Sequence, residues 1–195
     1  MFKFLSDIKQ SIVNNSKIIV SCVVLYVFGM LLGLFLPDGE INSKLFDGYV
    51  SEFICKVLAV DVSPFKNFVS RIVNALLLIT FILLLCTNKF SYFISFIIVL
   101  YRGFIIGYAF ISFVINLGFN GIITFIFIVF IQNLITTFAV ILLIANAYDG
   151  LFCKCKINFN CLIRYGIFSL IIAIIGAVLE LILLIAIFRP LNFYF

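Results

Sequence analysis

Five polar side chains sit inside otherwise apolar stretches of this chain: Asn74, Arg102, Gln132, Asn133 and Glu180. In a lipid setting each of them costs ~2.5–3.5 kcal/mol or more if it meets hydrocarbon unpaired. Such groups mark either a pathway for protons, ions or substrate, or a contact that fixes helix register. Arg102 and Glu180 carry opposite charges and are the expected ion pair. The amides of Asn74, Gln132 and Asn133 could satisfy their remaining donors and acceptors. A single carboxylate with no His relay favours a structural lock over a transport site. No catalytic residue is assigned, because no nucleophile–base pair accompanies Arg102 and Glu180. The chain has no His at all, which removes the usual general base and the commonest metal ligand.

The elements that hold these side chains follow from composition. Of 195 residues, 66% are hydrophobic and 11% charged, and the mean hydropathy is +1.36. A soluble domain runs about 45–50% apolar and about 25% charged, so a water-soluble fold is excluded, as is disorder. At roughly 20 apolar residues per span, the expectation is an all-α, polytopic integral membrane helix bundle with about five transmembrane helices in one domain. The spans are expected at 18–36, 68–86, 90–117, 122–147 and 165–188. The uncharged first stretch is longer than a signal-peptide core and no small-residue cleavage site follows it.

Residues 37–67 form the longest polar stretch, with five acidic and three basic side chains. Inside it, Leu45, Phe46, Tyr49, Val50, Phe53, Ile54, Val57 and Leu58 recur at helical spacing, which predicts a short amphipathic extracytoplasmic helix. Basic residues set the orientation. With the N-terminus in the cytoplasm, Lys3, Lys9, Lys17, Lys89, Lys154, Lys156 and Arg164 collect inside, and the acidic loop and the C-terminus lie outside. The third span is the irregular one. As one helix it would reach ~40 Å, against ~30 Å of bilayer core. It must tilt, extend past the membrane, or break at Arg102-Gly103.

Counted from the predicted cytoplasmic edge, Arg102 lies 13 residues after Lys89 and Glu180 lies 15 after Tyr165. Asn133 lies 15 before Tyr148 and Asn74 lies 14 before Asn88. All four therefore fall at about 20–23 Å, one polar layer in the outer half of the membrane. Two small-residue pairs, Gly29 with Gly33 and Gly103 with Gly107, have the spacing that lets helix backbones approach. On the fifth span Ser169, Ala173, Gly176 and Glu180 follow one face. The cysteines give no disulfide framework. Cys153, Cys155 and Cys161 lack a fourth ligand, so no metal and no cofactor is expected. No nucleic-acid-binding strip is present.

The run Arg102-Gly103-Phe104-Ile105-Ile106-Gly107, then Leu117-Gly118-Phe119-Asn120-Gly121, then Gln132-Asn133-Leu134-Ile135, resembles the stage II sporulation protein M family. That family carries a basic residue with Gly-x-x-x-Gly, then a Leu-Gly-aromatic-x-Gly turn, then Pro-Gln-Asn in the next span. The order and spacing agree over about fifty residues, with Ile131 in place of the usual Pro. The resemblance implies a non-enzymatic membrane scaffold. It would anchor the stage II sporulation proteins D and P, which degrade septal peptidoglycan during forespore engulfment, at the cell membrane of the sporulation septum. Asp47 and Glu52 in the outer loop are the candidate docking residues. The alternative function is a small transporter or permease-like subunit that uses the Arg102/Glu180 layer.

Overall fold

The computed structural model describes Val13 and residues 15–35, 64–152 and 159–183. The acidic segment with Asp47 and Glu52, the loop cysteines Cys153 and Cys155, and the chain beyond residue 183 lie outside the described residues. Within them the chain is all-α. The helices are α1 (Ser16–Phe35), α2 (Pro64–Leu85), α3 (Lys89–Thr124), α4 (Ile131–Phe152) and α5 (Phe159–Leu183), with a π-helical stretch, Phe125–Phe130, between α3 and α4. Five helices are long and apolar enough to cross a membrane, and their outward faces are Val, Ile, Leu and Phe side chains suited to lipid. The chain is therefore a multi-pass membrane bundle, and its sequence shows why. Each of these stretches runs for a bilayer thickness with at most two charges.

The turn between α2 and α3 is tight because Asn88 caps α3. Its backbone is extended (φ −124°, ψ 137°) and its side chain accepts from the Phe90 N–H at 3.2 Å. Thr87 Oγ1 donates to the Leu84 carbonyl at 2.7 Å and so finishes α2. The third apolar segment, 90–117, does not break at Arg102-Gly103, through which α3 runs as continuous helix. The kink lies just beyond that segment, at Gly118, at φ 57° and ψ −133°, a backbone state that side-chain-bearing residues rarely adopt. The chain resumes as helix, passes through the π-helical stretch and enters α4. There the Ile131 N–H bonds to the Ile126 carbonyl, one residue further back than in an α-helix. A proline at 131 could not make this bond.

Contact registers give the directions. Gly29 lies against Leu100 and Phe104, and Gly33 against Phe104 and Tyr108, so α1 and α3 run parallel. The Tyr92 hydroxyl donates to the Ile144 carbonyl while Arg102 meets Asn133, so α3 and α4 are antiparallel. Ser169 pairs with Ala139 while Gly176 meets Ile135, which makes α4 and α5 antiparallel. Gly166 meets Leu83 while Glu180 meets Arg71, which makes α2 and α5 antiparallel. Successive spans thus alternate in direction.

The core divides in two. A larger cluster, centred on Cys22, Ile79, Ile82, Tyr92, Val99, Val140, Leu143 and Ile144, fills the end of the bundle near the α2–α3 turn. A smaller one, Ile106, Phe113, Phe125 and Val129, fills the other end. Tyr26 packs against both.

Candidate functional site

The polar residues occupy the level between these two clusters, and they fall into two groups. The first joins α2 to α5. Glu180 is buried, and its Oε1 lies 3.5 Å from Arg71 Nη2. The residues preceding it on the same face, Ser169, Ala173 and Gly176, are all buried. Their small size lets α5 lie close on α4. The Ser169 hydroxyl donates 2.9 Å to the Ala139 carbonyl, and a Cβ on Gly176 would sit 3.1 Å from the Ile135 side chain. This face carries Glu180 into the bundle.

The second group joins α1, α3 and α4. Arg102 Nη2 donates to Asn133 Oδ1 at 3.2 Å, and Asn133 Nδ2 donates back into its own helix, to the Val129 carbonyl at 2.8 Å. Thr136 Oγ1 likewise donates to the Gln132 carbonyl at 2.9 Å. Gln132 and Thr137 are buried beside them. Tyr26 enters from α1. Its hydroxyl faces that of Thr137 and lies in the field of the Arg102 charge. The two hydroxyls do not close a well-formed hydrogen bond, and Arg102 Nη1 and Gln132 Oε1 are likewise buried without one.

The expected Arg102–Glu180 ion pair is therefore not formed. The reason lies in helix order: α5 packs on α2 and α4, whereas Arg102 stands on α3 between α1 and α4. Glu180 meets Arg71 instead, which lies three residues into the second expected span, 68–86. The same depth count would have found it, since Arg71 precedes Asn74 by less than one turn. Asn74 does not join the buried layer; it is exposed on the outer side of α2. The inward side carries Arg71, Ala75, Ile79, Ile82 and Cys86 instead. Asn133 does lie beside Arg102, and Gln132, the residue before it, is buried. Tyr26 and Thr137 complete the group. Tyr26 had one sequence signal, a phenol in mid-span one helical turn before Gly29 and Met30.

The four glycines of the two pairs meet each other's helices. A Cβ on Gly29 would lie 2.1 Å from the Leu100 carbonyl oxygen, and one on Gly33 would lie 2.2 Å from that of Phe104. From the other side, a Cβ on Gly103 would be 2.1 Å from the Tyr26 oxygen, and one on Gly107 would be 2.0 Å from the Met30 oxygen. All four obstacles are backbone, which cannot swing aside. This close approach brings Tyr26 to the level of Arg102.

Chemically, the layer holds two cations and one carboxylate. The carboxylate is engaged by Arg71, and Arg102 is held by an amide oxygen. Among the described residues no group of three His, Cys, Asp or Glu could hold a metal ion. Comparison of the chain with protein-family profiles, curated proteins and solved structures gives no match.

Proposed function

We propose that this chain is a non-catalytic membrane scaffold in which the polar layer locks the helices together. The observation that carries this reading is that both charged contacts of the layer, the Arg71–Glu180 ion pair and the Arg102–Asn133 hydrogen bond, run between different helices. They join α2 to α5 and α3 to α4, the glycine seam joins α1 to α3, and the Ser169–Ala139 hydrogen bond joins α5 to α4. Together these contacts tie all five helices into one body, as a platform for other proteins requires.

On this reading the resemblance to the stage II sporulation protein M family supplies the biological role. The chain sits in the cell membrane of the sporulation septum with its N-terminus in the cytoplasm and its C-terminus outside. It anchors the peptidoglycan-degrading proteins D and P through the outer acidic loop. The test is affinity purification from native membranes at the time of septation. Peptidoglycan hydrolases co-elute with the wild-type chain and are lost when Asp47 and Glu52 are both changed to Lys. Equal recovery from both baits removes the acidic loop as the docking surface, and no hydrolase from either removes the sporulation role.

A second reading, a permease-like subunit, draws on a specific observation. Arg102 Nη1, Gln132 Oε1 and Thr137 Oγ1 are buried without hydrogen bonds, as polar groups lining a solute path could be in a closed state. It requires that purified protein in liposomes move a solute at a rate that Arg102→Met abolishes while the bundle stays folded.

A further inference from the structure

Asn74 is the polar side chain that the bundle leaves outside. It lies deep in a span, about 9 Å along the helix from Phe68. Among the described residues its amide closes no hydrogen bond. Water is not available at that depth to satisfy it. No other amide faces outward within a span among the described residues: Asn133 and Asn146 are partly buried, and each donates to a carbonyl of its own helix. Asn74 also belongs to a stripe. Ser70, Asn74, Leu77, Phe81 and Leu84 are all exposed, and they succeed one another in alternating steps of four and three residues. That is the repeat of a seam between two helices crossing at a small angle.

We propose that this stripe is the contact between two copies of the chain, joined about a two-fold axis along the membrane normal by a pair of Asn74 amides. The choice of a second copy follows from geometry. Copies inserted in the same sense carry Asn74 at the same depth, and a two-fold axis brings each residue of a seam opposite itself. A carboxamide has both a donor and an acceptor, so two of them facing each other satisfy one another. A single polar residue in an apolar seam also fixes its register, because any slip would leave both amides in hydrocarbon. The stripe lies opposite the inward face that carries Arg71, Ile79 and Ile82, so a second copy docks here without disturbing the layer.

The experiment uses the full chain, labelled with one fluorophore and reconstituted in liposomes at low protein density, with subunits counted by photobleaching steps. The wild type bleaches in two steps. Asn74→Leu, which suits lipid and leaves the bundle intact, weakens association about tenfold and gives mainly one step. Asn74→Gln keeps the amide and retains dimers. In a background with the native cysteines replaced, Asn74→Cys cross-links between chains on oxidation, whereas Ile167→Cys on the exposed side of α5 does not. One-step bleaching of the wild type at every density overturns the proposal. So do dimers that Asn74→Leu leaves unchanged, and so does cross-linking at position 167 rather than 74.

Discussion

Helices α1 and α3 touch through their backbones, while α2 and α5 touch through side chains. In the first pair, a methyl group added at any of the four glycines runs into a carbonyl oxygen or an amide nitrogen of the neighbouring helix. In the second, a methyl group added at Gly166 meets the side chain of Leu83, its terminal carbons first, which can rotate away. The first pair depends on shape and the second on charge, since the Arg71–Glu180 contact lies at the other end of the same helix pair. Two helices of similar apolar composition are thus held by different physics. The difference shows in what each tolerates: the first allows no added atom, and the second allows atoms but not the loss of one charge.

Substitutions can break or sharpen this contrast. The largest effect is expected at the glycine seam. Gly107→Leu drives a whole side chain into the Met30 backbone and separates α1 from α3, so the folded protein disappears from membranes, as read by fluorescence-detected size exclusion after detergent extraction. Next comes Glu180→Ala, which removes the carboxylate from beside Arg71 and destabilises by about 3 kcal/mol, measured by unfolding in mixed micelles. The double variant Arg71→Met with Glu180→Met recovers much of that loss, because an apolar pair of similar volume needs no charge partner. No recovery would mean that Glu180 acts through packing alone. Asn133→Leu takes the acceptor from Arg102 and costs about 1–3 kcal/mol by the same measurement. Smallest is Gly166→Ala, below about 1 kcal/mol, because Leu83 yields. If Gly166→Ala proved as damaging as Gly107→Ala, the distinction between backbone and side-chain contact would fail.

Much of the bundle was legible in the sequence because a span needs only length and the absence of charge, and both are local. The glycine pairs were legible as contact faces for the same reason, although nothing local says that they meet each other. The partner of Glu180 was not legible, since it depends on which helices become neighbours. A depth count places Arg102 and Glu180 on one level but cannot tell that α2 and α4, not α3, flank α5. Asn74 shows the same limit in rotation about the helix axis. Depth put it with the layer, and helical phase turned it outward. The end of the third segment was legible as a turn signal at Leu117-Gly118-Phe119, whereas the internal break that its length allowed at Arg102-Gly103 is not formed, because Gly103 and Gly107 serve packing within a continuous helix.

The parallel seam between α1 and α3 also orders events during synthesis. A nascent chain leaves the ribosome from its N-terminus at roughly 5–20 residues per second. α1 therefore enters the bilayer seconds before Gly103 and Gly107 exist to receive it. The span made immediately after it, α2, reserves its inward side for α5, which is made last. For that interval the first helix must persist alone in lipid. Its Val-rich outer face equips it to do so, while Gly29 and Gly33 wait as a vacant slot for a helix not yet translated.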